Sequence, residues 1–354
     1  MESKTAELQS PEKTARERGL RVVAIGGGTG LSTLLKGLKR FVLSPAEILS
    51  DKDSPCIRDL SAVVTVSDDG GSSGRLRKEL NMLPPGDIRN CIVALSEDEA
   101  LLSKLFRHRF EKGSGLEGHS FGNLFLAALT SLTSDFSEAV RLSSEILLTR
   151  GHIYPATTSN IELEALMEDG TRVRGETKIT ASKGRIRELF LVPPNVGPMP
   201  QTLEAIAHAD LITIGPGSLF TSLIPNLLVR GIAQAIVESP ATKVYICNLM
   251  TQANESLDLT AADHIRALNR HAQKQIFDFA LINRTPVSDE LKTKYASEGA
   301  CQIVNDLDAV EALGVIPVLG DYLDEGGVAR HNTTRVARDL MQLITQRPRP
   351  TRDA

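Results

Sequence analysis

Tryptophan is absent from this 354-residue chain, and aromatic residues make up only 4% of it. The four cysteines, Cys56, Cys91, Cys247 and Cys301, contain no C-x-x-C pair, which argues against a zinc ribbon or a dithiol redox centre and suits a reducing compartment. No apolar run approaches the roughly 18 residues of a membrane span, and no apolar signal segment opens the chain. We therefore expect a cytoplasmic protein that is neither exported nor inserted in a membrane.

An excess of charge of one sign is also missing. The chain has 40 Lys and Arg against 44 Asp and Glu, a net charge of −4, and its basic residues form no long block. Binding to nucleic acid without sequence preference needs such a basic block or stripe, so we expect neither nucleic acid nor a membrane surface as a partner. The 41% hydrophobic and 24% charged content is ordinary for an α/β protein.

Three segments share one construction: an apolar run, a loop of Gly with Ser, Thr or Asp, and a helix-like stretch. They cover residues 21–32, 63–75 and 211–222. In each, a parallel strand would lead into a helix whose first N–H groups and positive dipole end point at an anion. Glycine lets the backbone approach a phosphate closely. Three such turns along one sheet edge predict a phosphorylated ligand, with a nucleotide as the leading candidate.

Strand and helix signals alternate along most of the chain, which predicts an α/β fold with a doubly wound, mostly parallel Rossmann-like sheet. Later strands are expected at residues 243–247, 279–282, 301–304 and 315–318. Strand and turn signals at 161–167, 173–179 and 186–192 break this rhythm and predict a small antiparallel β insertion at about 152–193. We expect one domain over residues 20–345, loose tails over 1–19 and 346–354, and a polar surface excursion over 41–58.

The glycine loops leave two interpretations open. The first contains Gly26, Gly27, Gly28, Thr29 and Gly30. It lacks the G-x-G-x-x-G spacing, and no acidic residue follows about 20 residues later to hold a ribose, so a nicotinamide or flavin enzyme is disfavoured. A tight connection and a phosphate cradle both fit such a loop. The same holds for the third loop, where a helix cap and a phosphate contact use the same groups of Gly215, Gly217 and Ser218.

The second loop is the richest chemically. Asp68 and Asp69 stand at a predicted strand end, before Gly70 and Ser72. They could hold a divalent cation against phosphate oxygens or accept hydrogen bonds from sugar hydroxyls. Helix capping is the alternative, although one acid would suffice for a cap and two adjacent acids repel each other unless a cation relieves them. Arg75 could supply that relief from within the chain.

Further polar candidates stand where helices open or strands end: Asp87, Asn90, His119, Asn123, Asn248 and Asn283. Asp87 suits an N-cap, and its neighbours in the first turn would then face a ligand. His119 has no second histidine at metal-ligand spacing, so a ligand hydrogen bond or a satisfied loop histidine is expected rather than zinc. The amides can bind a base or sugar, and they can equally tie loops together.

The motifs GGGTG, SDDGGSSGRLR, LPPGDIRN, GHSFGNL, IGPGSLFTS and NLMTQ occur in this order between residues 21 and 343. Together they resemble those of the YvcK-type gluconeogenesis factors, within a superfamily that includes CofD, the 2-phospho-L-lactate transferase of coenzyme F420 synthesis. The chain departs from the family pattern at residues 253–256, where Ala-Asn-Glu-Ser replaces Pro-Gly-Glu-Thr, and at Asn332, which follows Arg-His where an Asp is usual.

The resemblance implies a bacterial regulatory protein that binds a UDP-sugar such as UDP-N-acetylglucosamine and is needed for cell shape and wall synthesis during gluconeogenic growth. It also implies that Tyr295 stacks on uracil and that Arg330 contacts the anionic part of the ligand. Under this hypothesis the N–H groups of residues 26–30 and 215–218 hold a diphosphate, and Thr29 and Ser218 add hydroxyl donors. Asp68 and Asp69 would hold sugar hydroxyls or a cation, with Asn248 and Asn283 fixing orientation.

No nucleophile with an adjacent base is evident, so we expect a sensor without a cofactor that acts through a protein partner, rather than an enzyme. The alternative is a CofD-type transferase in which Asp68 and Asp69 hold Mg²⁺. That branch has a different stretch after its paired aspartates, which ranks it second. A homo-oligomer stays open, because no apolar stripe indicates an interface.

Overall fold

A computed structural model describes residues 19–43, 55–97, 101–182 and 184–346. The two predicted tails lie almost entirely outside these ranges, as does most of the predicted surface excursion. The strands, in chain order, are β1 Leu20–Gly26, β2 Ile57–Val64, β3 His152–Pro155, β4 Glu162–Met167, β5 Arg172–Arg174, β6 Ile186–Val192, β7 Leu211–Ile214, β8 Thr242–Ile246, β9 Phe279–Asn283, β10 Ile316–Gly320, β11 Leu323–Glu325 and β12 Ala329–His331.

Helices fill most of the connections between these strands. They are α1 Gly28–Leu38, α2 Gly71–Leu80, α3 Gly86–Leu95, α4 Leu101–Arg107, α5 Phe121–Thr133, α6 Phe136–Ile146, α7 Glu176–Ala181, α8 Pro200–Ala207, α9 Ile224–Leu228, α10 Ile232–Glu238, α11 Ala261–Ala272, α12 Asp289–Ser297, α13 Leu307–Glu311 and α14 Thr333–Gln346. A π-helical turn, Leu219–Leu223, leads directly into α9. Within the described ranges, no single helix is long and apolar enough to cross a bilayer. One bent pair of helices, Leu219–Leu228 with Ile232–Glu238, has sufficient length and apolar composition when the two are taken together, and by those two criteria only.

Seven parallel strands form the central sheet in the order β10-β9-β8-β7-β1-β2-β3. The middle strands are apolar and buried along nearly their whole length, as expected for a sheet covered by helices on both faces. This confirms the predicted doubly wound, Rossmann-like α/β fold.

The chain order reverses beside β1. From β1 the chain passes to β2 and β3 on one side, and it later returns to β7 on the other side, where Ile25 pairs with Ile214. Ligands of open α/β sheets bind in the crevice beyond the carboxyl ends of the strands at such a switch point. The first and third glycine loops, which follow β1 and β7, therefore lie side by side at this crevice.

The antiparallel insertion differs in two respects from the prediction. Strand β3 lies within the predicted insertion range but pairs with β2 in the central sheet, so the three-stranded β5-β4-β6 sheet begins only at Glu162. The predicted strand over residues 173–179 ends at Arg174, because Gly175 takes a φ of +100° and turns the chain into α7. The N–H of Thr177 at the start of this helix is capped by Asp69, far away in sequence.

The predicted strand over residues 301–304 is also wrong. This segment runs antiparallel to the loop after β8, with the N–H of Thr251 donating to the carbonyl of Cys301 and the N–H of Ile303 donating to that of Leu249. The pairing is an isolated bridge outside the central sheet. Val304 is left 61% exposed, so its apolar character does not reflect sheet burial.

Candidate functional site

A cavity of about 670 Å³ opens at the carboxyl ends of the strands that flank the switch point. The first and third glycine loops contribute to its wall, together with the loop after β8 and side chains from α3, α4 and β12. Its lining residues are Gly27, Gly28, Thr29, Gly30, Ser32, Thr33, Lys36, Arg89, Asn90, Arg107, Arg109, Pro216, Gly217, Ser218, Ser222, Asn248, Leu249, Met250, Thr251, Gln252, Tyr295, Ala329, Arg330 and His331.

The first glycine loop presents unpaired N–H groups to this cavity. Helix α1 begins at Gly28, whose N–H donates to an Asp87 carboxylate oxygen at 2.7 Å. The N–H groups of Thr29 and Gly30 precede the first intrahelical bond, which Leu31 donates, and neither has an acceptor among the described residues. Two free donors at the positive end of an eleven-residue helix form a site for an anionic group.

Glycine is required in this loop by a positive φ and by close packing. Gly28 has a φ of +62°, a conformation that L side chains rarely adopt. A Cβ on Gly30 would lie 2.3 Å from the carbonyl oxygen of Pro216, in the third glycine loop. The two loops are thus in backbone contact, and both interpretations of the motif hold at once: the glycines pack the loops together and leave donors facing the cavity.

Side chains of the loop after β8 hold the third glycine loop, which follows β7, in place. The Asn248 amide accepts from the N–H of Gly217 at 3.1 Å and donates to its carbonyl at 2.7 Å. Gln252 donates to the Ser218 hydroxyl at 2.8 Å, and the N–H of Gly215 donates to the carbonyl of Ile25. Asn248 lines the cavity, but its amide is occupied in holding the loop.

A buried carboxylate caps the backbone just after the third glycine loop. Glu255 is 4% exposed and accepts from the N–H groups of Phe220 at 2.8 Å and Thr221 at 3.0 Å. Burial raises the pKa of Glu255, and these hydrogen bonds oppose the increase. The N–H groups of Gly215 and Gly217 are also used internally, whereas those of Thr29 and Gly30 at the start of α1 are not.

The paired aspartates serve two different local structures. An Asp68 carboxylate oxygen accepts from the N–H of Gly70 at 2.9 Å, and one from Asp69 accepts from the N–H and hydroxyl of Thr177 at 2.9 and 2.6 Å. Neither lines the cavity. Over the ranges that the structure describes, no group of three or more His, Cys, Asp or Glu side chains is arranged to hold a metal ion. Both carboxylates are thus engaged in local hydrogen bonds, at the starts of α2 and α7.

Acidic groups nevertheless concentrate behind the first loop. Burial raises the pKa of Asp87 to about 6, with Asp68 adding to the shift and the Gly28 N–H opposing it. Burial and the nearby Asp68 and Asp87 raise the pKa of Glu176, on α7, to about 9. Glu176 is therefore protonated at neutral pH. Arg77 is buried beside this group and donates to the carbonyl of Ile161.

A second buried network holds Arg89 at the cavity wall. Its guanidinium donates to the Ser120 hydroxyl at 2.7 Å, and to the amide oxygens of Asn123 at 2.9 Å and Asn90 at 2.8 Å. Asn123 in turn donates to the Ser72 hydroxyl, which is 2.9 Å from the His119 ring. Three of the predicted ligand-binding side chains, Ser72, His119 and Asn123, thus lie behind Arg89 and position it.

Among the described residues, basic side chains make up the charged lining, and no carboxylate contributes to it: Lys36, Arg89, Arg107, Arg109 and Arg330. Arg330 is one of the residues expected from the sequence, whereas Lys36, Arg107 and Arg109 belong to no motif and could not be found that way. Basic side chains that line a concave site favour an anionic ligand.

The side chains at the far wall are ordered by backbone contacts. The Tyr295 hydroxyl accepts from the N–H of Ala329 at 3.1 Å, which leaves its half-buried ring lining the cavity. His331 donates from Nε2 to the carbonyl of Cys247 at 3.0 Å, and burial lowers the pKa of His331 to about 4. This histidine is therefore neutral at physiological pH, and the nearby positive charge comes from Arg330.

Comparison with known proteins places the chain. The sequence profile described as "2-phospho-L-lactate transferase CofD" matches residues 22–323. The chain belongs to the CofD family. This CofD-family protein is 49% identical over 323 residues to a gluconeogenesis factor of Halalkalibacterium halodurans, covering 91% of this chain and 95% of that protein. It is 47% identical over 328 residues to a gluconeogenesis factor of Bacillus subtilis, covering 92% and 98%.

A solved structure agrees with this placement. The crystal structure of a UPF0052-family protein from Bacillus halodurans is similar to the CofD-family protein described here, with a TM-score of 0.85 and 48% identity. The similarity covers 92% of this chain and 99% of that one. The resemblance stated from the sequence motifs is thereby confirmed.

The cavity brings together only part of the predicted site. Lining it are Gly27, Gly28, Thr29, Gly30, Asn90, Gly217, Ser218, Asn248, Tyr295 and Arg330. Outside the lining are Gly26, Asp68, Asp69, Gly70, Ser72, Arg75, Asp87, His119, Asn123, Gly215 and Asn283. Arg75 donates to the carbonyl of Glu117, and Asn283 donates to the carbonyl of Thr285 and accepts from the N–H of Tyr322, so both brace loops.

Proposed function

We propose that this CofD-family protein is a regulatory protein that binds a nucleotide sugar in the cavity, with a UDP-sugar such as UDP-N-acetylglucosamine as the ligand. The observation that carries the proposal is the pair of free N–H groups, on Thr29 and Gly30, at the positive end of α1. They face a cavity whose charged lining residues, within the described ranges, are all basic. A diphosphate matches both features.

Each wall of the cavity has a part in this proposal. The diphosphate would accept from the start of α1, with Ser218 and Arg330 beside it. The ring of Tyr295 would stack on the base, since its hydroxyl is already held by Ala329 and its orientation is fixed. Asn90 would contact a ligand hydroxyl while its amide oxygen holds Arg89.

The proposed biological role follows that of the relatives named gluconeogenesis factors. The protein would act in the cytoplasm, report nucleotide-sugar supply to a protein partner, and support cell shape and wall synthesis during gluconeogenic growth. A sensor is favoured over an enzyme because the paired aspartates are engaged locally and line no part of the cavity. The second candidate, a CofD-type transferase that requires Mg²⁺, is supported by the description of the matching family.

Calorimetric titration with UDP-N-acetylglucosamine, with and without Mg²⁺, tests the proposal when mass spectrometry also follows the ligand. Binding of intact ligand without Mg²⁺ supports the sensor, whereas Mg²⁺-dependent turnover supports the transferase. The absence of binding by any UDP-sugar contradicts both.

Thr29→Pro is the decisive variant for the location of the site. Proline is accepted in the first helical turn but has no N–H, so one free donor is lost. Thr29→Ala is the matched control, because it removes the exposed hydroxyl and methyl groups and keeps the N–H. We expect Thr29→Pro to weaken binding about tenfold and Thr29→Ala to change it much less, with circular dichroism checking that both variants fold.

A further inference from the structure

A second cavity, of about 300 Å³, opens near the amino ends of the strands, at the opposite edge of the central sheet from the glycine loops. Residues of β1, β2 and β3 form its floor, and α8 covers it. In the sheet Arg21 pairs with Asp59, and Ser61 pairs with His152. Side chains of paired residues lie on the same face of a sheet, so these four and Tyr154 face one space. We call it the amino-end cavity.

Helix α8 adds polar side chains from the other wall. Gln201, Glu204 and His208 follow one another at intervals of three and four residues, which places them on one side of the helix. The His208 ring donates from Nδ1 to the backbone carbonyl of Glu204 at 2.9 Å, which orders the end of this wall. The helix therefore presents the Glu204 carboxylate to the cavity.

The charged side chains of the amino-end cavity are little used by the protein itself. Among the described residues, neither the Arg21 guanidinium nor the Glu204 carboxylate has a hydrogen-bond or ion-pair partner. The Asp59 carboxylate accepts from the Ser61 hydroxyl at 3.3 Å. The nearby Asp210 carboxylate is occupied, because it accepts from the backbone N–H of Arg21 at 2.8 Å. One cation and two anions are thus available to a ligand.

Tyr154 shows where the two anions converge. Burial raises the pKa of Tyr154, and the negative charges of Asp59 and Glu204 add to the increase. The carboxylate from the sheet and the one from α8 therefore both act on the same hydroxyl. The Tyr154 ring lies parallel to that of His152, with 5.9 Å between the ring centroids. The two acids and this ring pair form one side of the cavity, and Arg21 comes from β1.

We propose that the amino-end cavity binds a free α-amino acid, with Arg21 holding its carboxylate and with Asp59 and Glu204 holding its ammonium group. A carboxylate suits the fork geometry of a guanidinium, and an ammonium group donates to carboxylates. A purely anionic ligand would meet two acids, and a purely cationic one would meet the guanidinium. A small zwitterion matches both charges at once. The inference goes beyond the proposed function, because it concerns other residues and another ligand.

Thermal unfolding of the full chain with each standard amino acid, at a concentration on the order of 10 mM, identifies the probe that stabilises it most. Calorimetry then compares this amino acid with two derivatives: its amide, which lacks the carboxylate, and its N-acetyl form, which lacks the ammonium group. We expect each derivative to bind at least about tenfold more weakly. Equal binding of either derivative overturns the inference, and so does the absence of stabilisation by any amino acid.

Arg21→Gln and Glu204→Gln locate the binding. Neither side chain is buried, and Arg21→Gln keeps the backbone N–H that Asp210 accepts, so both variants should fold, as circular dichroism checks. We expect each to weaken binding of the amino acid at least about tenfold. Arg58→Gln is the matched control, because this exposed arginine precedes Asp59 and lies on the other face of β2, and it should leave the affinity unchanged. Wild-type affinity in Arg21→Gln or in Glu204→Gln places the binding elsewhere and overturns the inference.

Discussion

Asp87 accepts a 2.7 Å hydrogen bond from the N–H of Gly28, the first residue of α1. A carboxylate from α3 therefore satisfies the first free N–H of the helix, while Thr29 and Gly30 keep theirs for a ligand. The same contact places a titratable negative charge beside the proposed diphosphate site. The pH dependence of ligand binding should report on it.

Ligand affinity should fall as pH rises from 5 to 7. The pKa of Asp87 is raised to about 6 in the folded protein, so the carboxyl is largely neutral at pH 5 and ionised at pH 7, where it repels a phosphate. In Asp87→Asn, an amide oxygen still accepts from Gly28 but carries no charge, and the pH dependence should flatten with tighter binding at pH 7. Calorimetry with a UDP-sugar is the measurement, because its diphosphate does not titrate in this range. A variant that keeps the full pH dependence would show that another group is responsible.

Glu176→Gln should stabilise the protein at neutral and alkaline pH. The pKa of Glu176 is raised from 4.5 to about 9 on folding, so the folded state binds a proton that the unfolded state has lost, and stability falls as pH rises between these values. Glutamine removes that dependence, and we expect a gain of about 1–3 kcal/mol in the free energy of unfolding at pH 7. Urea unfolding at pH 5, 7 and 9 measures it. Glu79→Gln, on the exposed side of α2, is the control and should show no such gain.

Glu255→Ala should be strongly destabilising, whereas Glu255→Gln should be mild. Alanine leaves the buried N–H groups of Phe220 and Thr221 without their acceptor, at a cost of about 2–4 kcal/mol in the free energy of unfolding. Glutamine retains an oxygen at this position. Denaturant unfolding of the two variants separates the loss of the acceptor from the loss of the charge, and equal stabilities would contradict the capping role.

Gly30→Ala should disrupt the contact between the two glycine loops. Its Cβ would lie 2.3 Å from the backbone oxygen of Pro216, which no side-chain rotation can relieve. We expect a loss of about 1–3 kcal/mol in stability together with loss of ligand binding. Gly28→Ala tests a different effect, since its Cβ would meet only the Ser222 hydroxyl at 3.4 Å, and strain from positive φ should cost about 1 kcal/mol. Thermal unfolding of both variants makes the comparison.

Local pattern was sufficient to predict the architecture. Apolar runs that alternate with helical periodicity specify a parallel sheet, and the Gly-rich loops after Ile25 and Ile214 are therefore expected at its carboxyl edge. Where pattern failed, a backbone or packing effect intervened. Gly175 turns the predicted strand over residues 173–179 into α7. Residues 301–304 pair with the loop after β8 instead of joining the central sheet.

Which donors remain free was decided only by the tertiary structure. Asp87 takes the Gly28 N–H from 59 residues away, and Glu255 takes those of Phe220 and Thr221 from 35 and 34 residues away. These pairings decide which N–H groups near the first and third glycine loops are already used, and those of Thr29 and Gly30 are not among them. Likewise, no sequence spacing relates the lining residues Arg89, Arg107 and Arg109 to the glycine loops. Local sequence sets backbone conformation, whereas hydrogen-bond partners and charge clusters depend on which distant segments the folded chain brings into contact.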